Sequence, residues 1–272
     1  MLQSIAMKTT APMVTEDNAE PYMDSLHGYL TLVAFKSSLV VSNGLASSSS
    51  SNYRIISPAF PAIYGGYYVG FGAQWYQLDF SNHNWWCGKL AATFVTGTQM
   101  GWFSLLGISN DPSDSCGNMA VNDLLLAEES SDLIEFLKKL TKQRAALVDY
   151  FIDGHLLRSI GMNPFPQILT QTISSGGYPL LDYQSISTTS WRLDSTDNTM
   201  TVMVSSIIES FQTTLQINFK NWGYEIVKEL KVYKIHPNGQ RVYLTTLHGP
   251  SDQLPINIPG RDVIALEFQP SK

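Results

Sequence analysis

Leu230-Lys-Val-Tyr-Lys-Ile-His-Pro-Asn-Gly-Gln-Arg-Val-Tyr-Leu-Thr-Thr246 reads as two strands joined by a tight turn. Apolar and polar residues alternate on both sides of the turn, the period of a strand with one buried face. Asn238-Gly239 lies between them, and both residue types accept the positive φ of hairpin turns. Outward from this hairpin, similar segments lie at Gln167–Ile173, Ser185–Leu193, Met200–Ile208, Thr214–Phe219 and Val263–Phe268. No convincing helix interrupts them. Short strands divided by regular turn signals suggest an antiparallel β-sandwich over residues 161–272. Its last strand, Val263-Ile-Ala-Leu-Glu-Phe, ends before Pro270.

Residues 1–160 have a different texture. Ala11 to Val14 is a short apolar run, and Tyr29-Leu-Thr-Leu-Val-Ala-Phe35 is a strand candidate. Residues 42–52 are a polar, low-complexity loop, and Arg54 to Ile63 is extended and broken by Pro58 and Pro61. Trp85 to Val95 has helical composition and stops before Gly97. Met100 to Leu106 is again strand-like. The clearest helix starts at Asp132, with Glu135 placed for a capping box. Its apolar residues, from Leu133 to Ile152, recur at helical spacing and dock on something apolar, and Gly154 stops the run. Strands alternating with helices favour an α/β arrangement with a parallel sheet. About four units are visible where an eight-unit barrel needs roughly 250 residues. Two arrangements fit the pattern, an independent small α/β domain and, better, the C-terminal half of a (β/α)8 barrel.

The stretch from Phe60 to Trp86 is dense in Tyr, Trp and Phe, with Gly65, Gly66, Gly70 and Gly72 interleaved. Glycines weaken both helices and strands. Tyr and Trp suit surfaces that are half wet and half dry. Two readings stay open: an aromatic core under a loop, or a ligand cleft for flat polar guests such as sugars. Trp102, near a strand end, offers a second stacking surface.

Composition excludes several classes. The 272 residues are 44% hydrophobic and only 15% charged, which excludes disorder for most of the chain. A net charge of −6 without a basic run is a poor match to nucleic acid or an anionic membrane. No apolar run reaches the length of a membrane span. The N-terminus lacks the basic start and apolar core of a signal peptide. Cys87 and Cys116 match no metal spacing and are expected as free thiols. The five histidines show no paired spacing, and the glycines lack the phosphate-loop order. No metal and no cofactor is expected.

The densest acidic cluster is Thr15-Glu-Asp-Asn-Ala-Glu20. Glu16 and Asp17 stand where a short strand ends, and barrel strands present active-site residues at their C-terminal ends. A carboxyl group desolvated there by aromatic surface would have the raised pKa of a general acid. The alternative is a solvated acidic turn, or helix N-terminal charges on Glu20 and Asp24. Asp79, His83 and Asp111 could hydrogen-bond hydroxyl groups or be loop surface.

Four segments carry a resemblance: Met13-Val-Thr-Glu-Asp-Asn-Ala-Glu-Pro-Tyr-Met-Asp24, Pro61-Ala-Ile-Tyr-Gly-Gly-Tyr-Tyr68, Gly97-Thr-Gln-Met-Gly-Trp-Phe-Ser104 and Ile134-Glu-Phe-Leu-Lys-Lys-Leu140. Together they resemble an uncharacterised glycoside-hydrolase-like family, in which a (β/α)8 barrel is followed by a β-sandwich. That family is distantly similar to retaining glycosidase barrels such as endo-α-N-acetylgalactosaminidases. The resemblance implies a carbohydrate partner and two catalytic carboxylates. Carried onto this chain, it makes Glu16, Asp17 or Glu20 the acid/base candidate and lines the sugar cleft with Tyr64, Tyr67 and Trp102. The strand expected to carry the partner carboxylate has no counterpart here, so a fragment with little activity alone is expected. Retention needs carboxyls about 5 Å apart and inversion about 6.5–9.5 Å, so the stereochemical outcome stays open. A non-catalytic carbohydrate-binding or structural protein is the competing reading. The sugar, the oligomeric state and the compartment also stay open, and the intact protein could be secreted.

Overall fold

The computed structural model describes residues 14–15, 28–30, 69–71, 83–97, 131–157, 160–166, 168–171, 181–193 and 199–271. Three short strands come first: β1 (Val14–Thr15), β2 (Gly28–Leu30) and β3 (Val69–Phe71). Helices α1 (His83–Val95), α2 (Ser131–Ala146) and α3 (Val148–Asp153) follow. The next strands are β4 (Gly154–Leu157), β5 (Gly161–Asn163), β6 (Ile168–Gln171), β7 (Leu181–Gln184) and β8 (Ile186–Leu193). After β9 (Met200–Ser206) and β10 (Phe211–Asn218), a 3-10 turn spans Phe219–Trp222. The chain ends in β11 (Glu229–Ile235), β12 (Arg241–His248), β13 (Ser251–Ile258) and β14 (Asp262–Pro270).

The hairpin forms as its sequence predicts. β11 pairs antiparallel with β12. Gly239 takes φ +82°, its N–H donates to the His236 carbonyl at 2.8 Å, and the His236 N–H donates to the Gln240 carbonyl at 2.9 Å. The hairpin forms one edge of a six-stranded antiparallel sheet ordered β12-β11-β14-β9-β8-β4. A three-stranded antiparallel sheet, β13-β10-β5, packs over it.

Alternation along the strands divides the six-stranded sheet into two faces. Met200, Val202 and Val204 of β9 and Ile264, Leu266 and Phe268 of β14 meet Leu215 and Ile217 of β10 in one apolar core. The residues between them turn the other way. Met203 of β9, Ala265 of β14 and Trp191 of β8 pack under Phe94, Phe136, Leu140 and Tyr150 of the helices. The layers are therefore helices, six-stranded sheet, three-stranded sheet. β9 lies in the middle and every one of its residues is buried, as expected of a strand covered on both sides.

Several details differ from the sequence reading. The long helix is two helices: the Leu147 N–H bonds the Arg144 carbonyl, and the turn redirects α3 so that Tyr150 points inward. Asp132 does accept from a helical N–H, that of Leu133 at 2.7 Å, but Glu135 binds Lys138 at 2.6 Å instead of completing a capping box. The strand predicted from Tyr29 begins at Gly28 and is described only to Leu30. Strands β3, β4, β5, β7 and β13 are additional. β13 contains Pro255, which the edge position of this strand tolerates. The first part of the chain carries a parallel sheet, β1-β2-β3, in chain order. Most of the described chain is antiparallel β-sheet with few helices.

Candidate functional site

Glu16, Asp17, Glu20, Tyr64, Tyr67 and Trp102 lie outside the described residues, as do Asp79, Asp111 and Cys116. What is described is the frame that their segments join. Glu16 follows β1 directly in the chain. Within the aromatic stretch, Val69–Phe71 is the third parallel strand, and the segment from His83 onward is the first turn of α1. The segment that carries Trp102 leaves from the end of α1.

That end is held on all sides. The Val95 carbonyl, which no further helical turn can satisfy, accepts from Thr189 Oγ1 at 2.5 Å and from Trp191 Nε1 at 3.0 Å. The Gly97 carbonyl accepts from Arg144 at 2.9 Å. The Arg144 guanidinium also lies 4.6 Å from the Phe151 ring centroid. Burial pulls the pKa of Arg144 down to about 10. Gly97 ends the helix at φ +74°, and a Cβ there would stand 2.8 Å from the Trp191 ring and 2.9 Å from Phe151.

The opposite ends of α1 and α2 meet the β13–β14 turn. Arg261, at φ +44°, pairs with Asp132 of α2 and donates to Asn84 of α1 at 3.4 Å. Its N–H donates to the Ile208 carbonyl, and its own carbonyl accepts from Lys139. Cys87 is a free, fully buried thiol on α1, and burial raises its pKa to about 11, with the charge of Arg261 acting the other way. It is not poised as a nucleophile.

A third cluster forms around Glu267, which sits on the helix-facing side of β14 and is 1% exposed. Its Oε1 accepts from Arg241 Nε at 2.9 Å and from Gln269 at 2.6 Å. Its Oε2 accepts from Arg241 Nε at 3.0 Å and from the Tyr150 hydroxyl at 2.9 Å. Thr199 Oγ1 lies 3.1 Å from the same hydroxyl. Burial and the neighbouring carboxylate push the Tyr150 pKa far up. Every oxygen of Glu267 is engaged inside the protein, so this carboxylate ties α3 to the sheet and is not offered to a substrate. A lone acid inside an apolar strand was the available signal for it. Its partners come from β12 and α3, which only the folded register brings together.

Among the described residues, no group of three or more His, Cys, Asp or Glu could hold a metal ion. No helix among them is long and apolar enough to cross a membrane.

No protein-family model matches the chain. A protein of Monosiga brevicollis named "Putative glycoside hydrolase 22789" is 30% identical over 260 residues, covering 93% of this chain. The chain resembles a glycoside-hydrolase-like family. It spans only 20% of the length of that relative. Among solved structures, one titled "Glycoside hydrolase" is 7% identical, with 91% of this chain and 58% of that chain covered at a TM-score of 0.42. A GH30 endoxylanase from Clostridium papyrosolvens C71 is 10% identical, with 99% and 59% covered at a TM-score of 0.37. Scores this low do not establish a common fold.

Proposed function

We propose that this chain is part of a glycoside hydrolase that cleaves a carbohydrate by carboxylate acid/base chemistry. The observation that carries the reading is the 30% identity to a protein of that name over 93% of the chain. In this reading residues 1–160 derive from the second half of a (β/α)8 barrel, and residues 161–272 form the appended β-sandwich. The parallel pairing of β1, β2 and β3 in chain order supports the barrel part, because consecutive barrel strands pair in this way. The antiparallel sheets packed face to face support the sandwich. Glu16, Asp17 or Glu20 supplies the acid/base, and Tyr64, Tyr67 and Trp102 line the sugar cleft.

The chain spans 20% of its relative's length, and in this reading the partner carboxylate lies on a strand outside it, so hydrolysis by the chain alone is expected to be slight. A panel of aryl glycosides tests this. Turnover near background, together with tryptophan-fluorescence changes on titration with oligosaccharides, is the expected result. Robust turnover abolished by Glu16→Gln or Asp17→Asn would place both carboxylates within these residues and end the fragment reading. Neither turnover nor binding would end the carbohydrate reading altogether. A non-catalytic carbohydrate-binding protein is the second reading, supported by the aromatic density of residues 60–86.

A further inference from the structure

The turn between β11 and β12 carries one of two Asn-Gly pairs in the sequence, Asn238-Gly239. The other is Asn43-Gly44, in the Ser-rich stretch of residues 42–52. An asparagine followed by glycine has a reaction of its own. The glycine main-chain nitrogen attacks the side-chain carbonyl carbon, Cγ, and the new N–C bond closes a cyclic imide. The bond from Cγ to the side-chain nitrogen breaks, and that nitrogen leaves with the glycine amide proton as ammonia. Water then opens the imide. Opening at the side-chain carbonyl leaves Asp, and opening at the main-chain carbonyl leaves isoaspartate. Glycine favours the first step because no Cβ obstructs the approach.

Asn238 is exposed, so water reaches it and burial gives no protection. Nothing would stand within 4 Å of a Cβ at Gly239, so crowding gives none either. Hydrogen bonds are what hold the reacting groups in place. The attacking nitrogen must release its proton, and the Gly239 N–H donates that proton to the His236 carbonyl at 2.8 Å. The side-chain carbonyl must turn onto this nitrogen, and Asn238 Oδ1 instead accepts from the Gln240 N–H at 3.0 Å, one residue further on. The His236 N–H closes the turn on the Gln240 carbonyl at 2.9 Å, Gly239 is fixed at φ +82°, and Ile235 pairs with Arg241 just beyond. Two hydrogen bonds must therefore open together before the imide can close. At the usual net strength of such bonds this slows the reaction roughly ten-fold or more.

We propose that Asn238 is a latent deamidation site, reactive in the open chain and kept intact by the hydrogen bonds of the folded β11–β12 turn. Its conversion reaches beyond the turn. Isoaspartate lengthens the main chain by one carbon just ahead of Arg241, whose guanidinium binds Glu267. The test is peptide mapping by mass spectrometry of the full chain aged at mildly alkaline pH, both folded and in guanidinium chloride. Chromatography separates the intact, Asp and isoaspartate forms, and Asn43 calibrates the conditions. In denaturant the two asparagines should convert at similar rates, whereas Asn238 in the folded chain should convert roughly ten-fold more slowly than in denaturant. Pro237→Gly frees φ at the second position of the turn, where proline favours the closed form. It should speed the folded rate several-fold and leave the rate in denaturant unchanged. Equal rates at Asn238 in the folded and unfolded chain would overturn the proposal, as would an Asn238 that stays intact in denaturant. An unchanged folded rate in Pro237→Gly would locate the protection outside the turn and overturn it too.

Discussion

Glu267 and Phe268 are neighbours in one strand and face opposite worlds. Phe268 points into the sandwich, among aliphatic and aromatic side chains, and touches Trp222 at a centroid distance of 5.4 Å. Glu267 points toward the helices, into a net of hydrogen bonds shared by β12, α3 and Gln269. The contrast extends along the sheet. The sandwich side is packed mainly by apolar burial, whereas the helix side combines apolar packing with directional latches at Val95, Gly97, Arg261 and Glu267. Burial is non-directional and tolerates exchange of similar side chains. Hydrogen-bonded latches specify one docking position for the helices, and with it the points from which the proposed site segments leave.

Truncating the two neighbours tests that contrast most severely. Phe268→Ala should cost about 3–5 kcal/mol, because it opens a cavity among fully buried side chains. Glu267→Gln should cost less, about 1–3 kcal/mol, by removing charge-assisted bonds while keeping shape. Urea denaturation of both variants measures the difference. In a double-mutant cycle with Tyr150→Phe, the Glu267 change should be non-additive, whereas Phe268→Ala should add independently. Equal losses in the two single variants would mean that the two faces are not held differently.

The same contrast explains what the sequence made legible. The sandwich strands were readable because their apolar alternation is local: β8, β9, β11, β12 and β14 begin and end within a few residues of the segments predicted from it. Of the antiparallel strands, β4, β5, β7 and β13 were missed. β5 is three residues long, and β13 carries an internal proline in Ser-Asp-Gln-Leu-Pro-Ile-Asn-Ile. The helix-side latches were not readable, since Arg241 and Glu267, or Trp191 and Val95, meet only through tertiary packing. The site residues proposed for catalysis rest on sequence and resemblance, because their segments lie outside the described residues.

A smaller effect is expected where one latch depends on a single glycine. Gly97→Ala places a methyl group against Trp191 and Phe151 at a residue held at φ +74°. The left-handed conformation alone costs a non-glycine residue roughly 1–2 kcal/mol, and the close contacts add to it. If the latch locates the helix end, near-ultraviolet circular dichroism of the tryptophans should change along with the denaturation midpoint. An unchanged midpoint would show that the end of α1 is loosely held.

The smallest effect is a matter of pH, and it concerns Cys87 of α1. Its thiol pKa is raised by burial from 9.0 to about 11 in the folded chain. A folded-state pKa above the unfolded value means that the unfolded chain loses its proton first as pH rises. The stabilisation is thus fully present below about pH 9 and is lost progressively toward pH 11. Tyr150 and Tyr224 are shifted in the same direction by burial and add to the alkaline loss at higher pH. Cys87→Ala isolates the thiol: it lowers stability at pH 7 through the lost packing, yet the fall between pH 9 and 11 should be shallower than in the unaltered chain. Native Cys87 should also resist alkylation at pH 8 and react once urea unfolds the helices. Rapid alkylation at Cys87 itself in the folded chain, located by peptide mapping, would show that α1 lifts from the sheet far more readily than its latches imply.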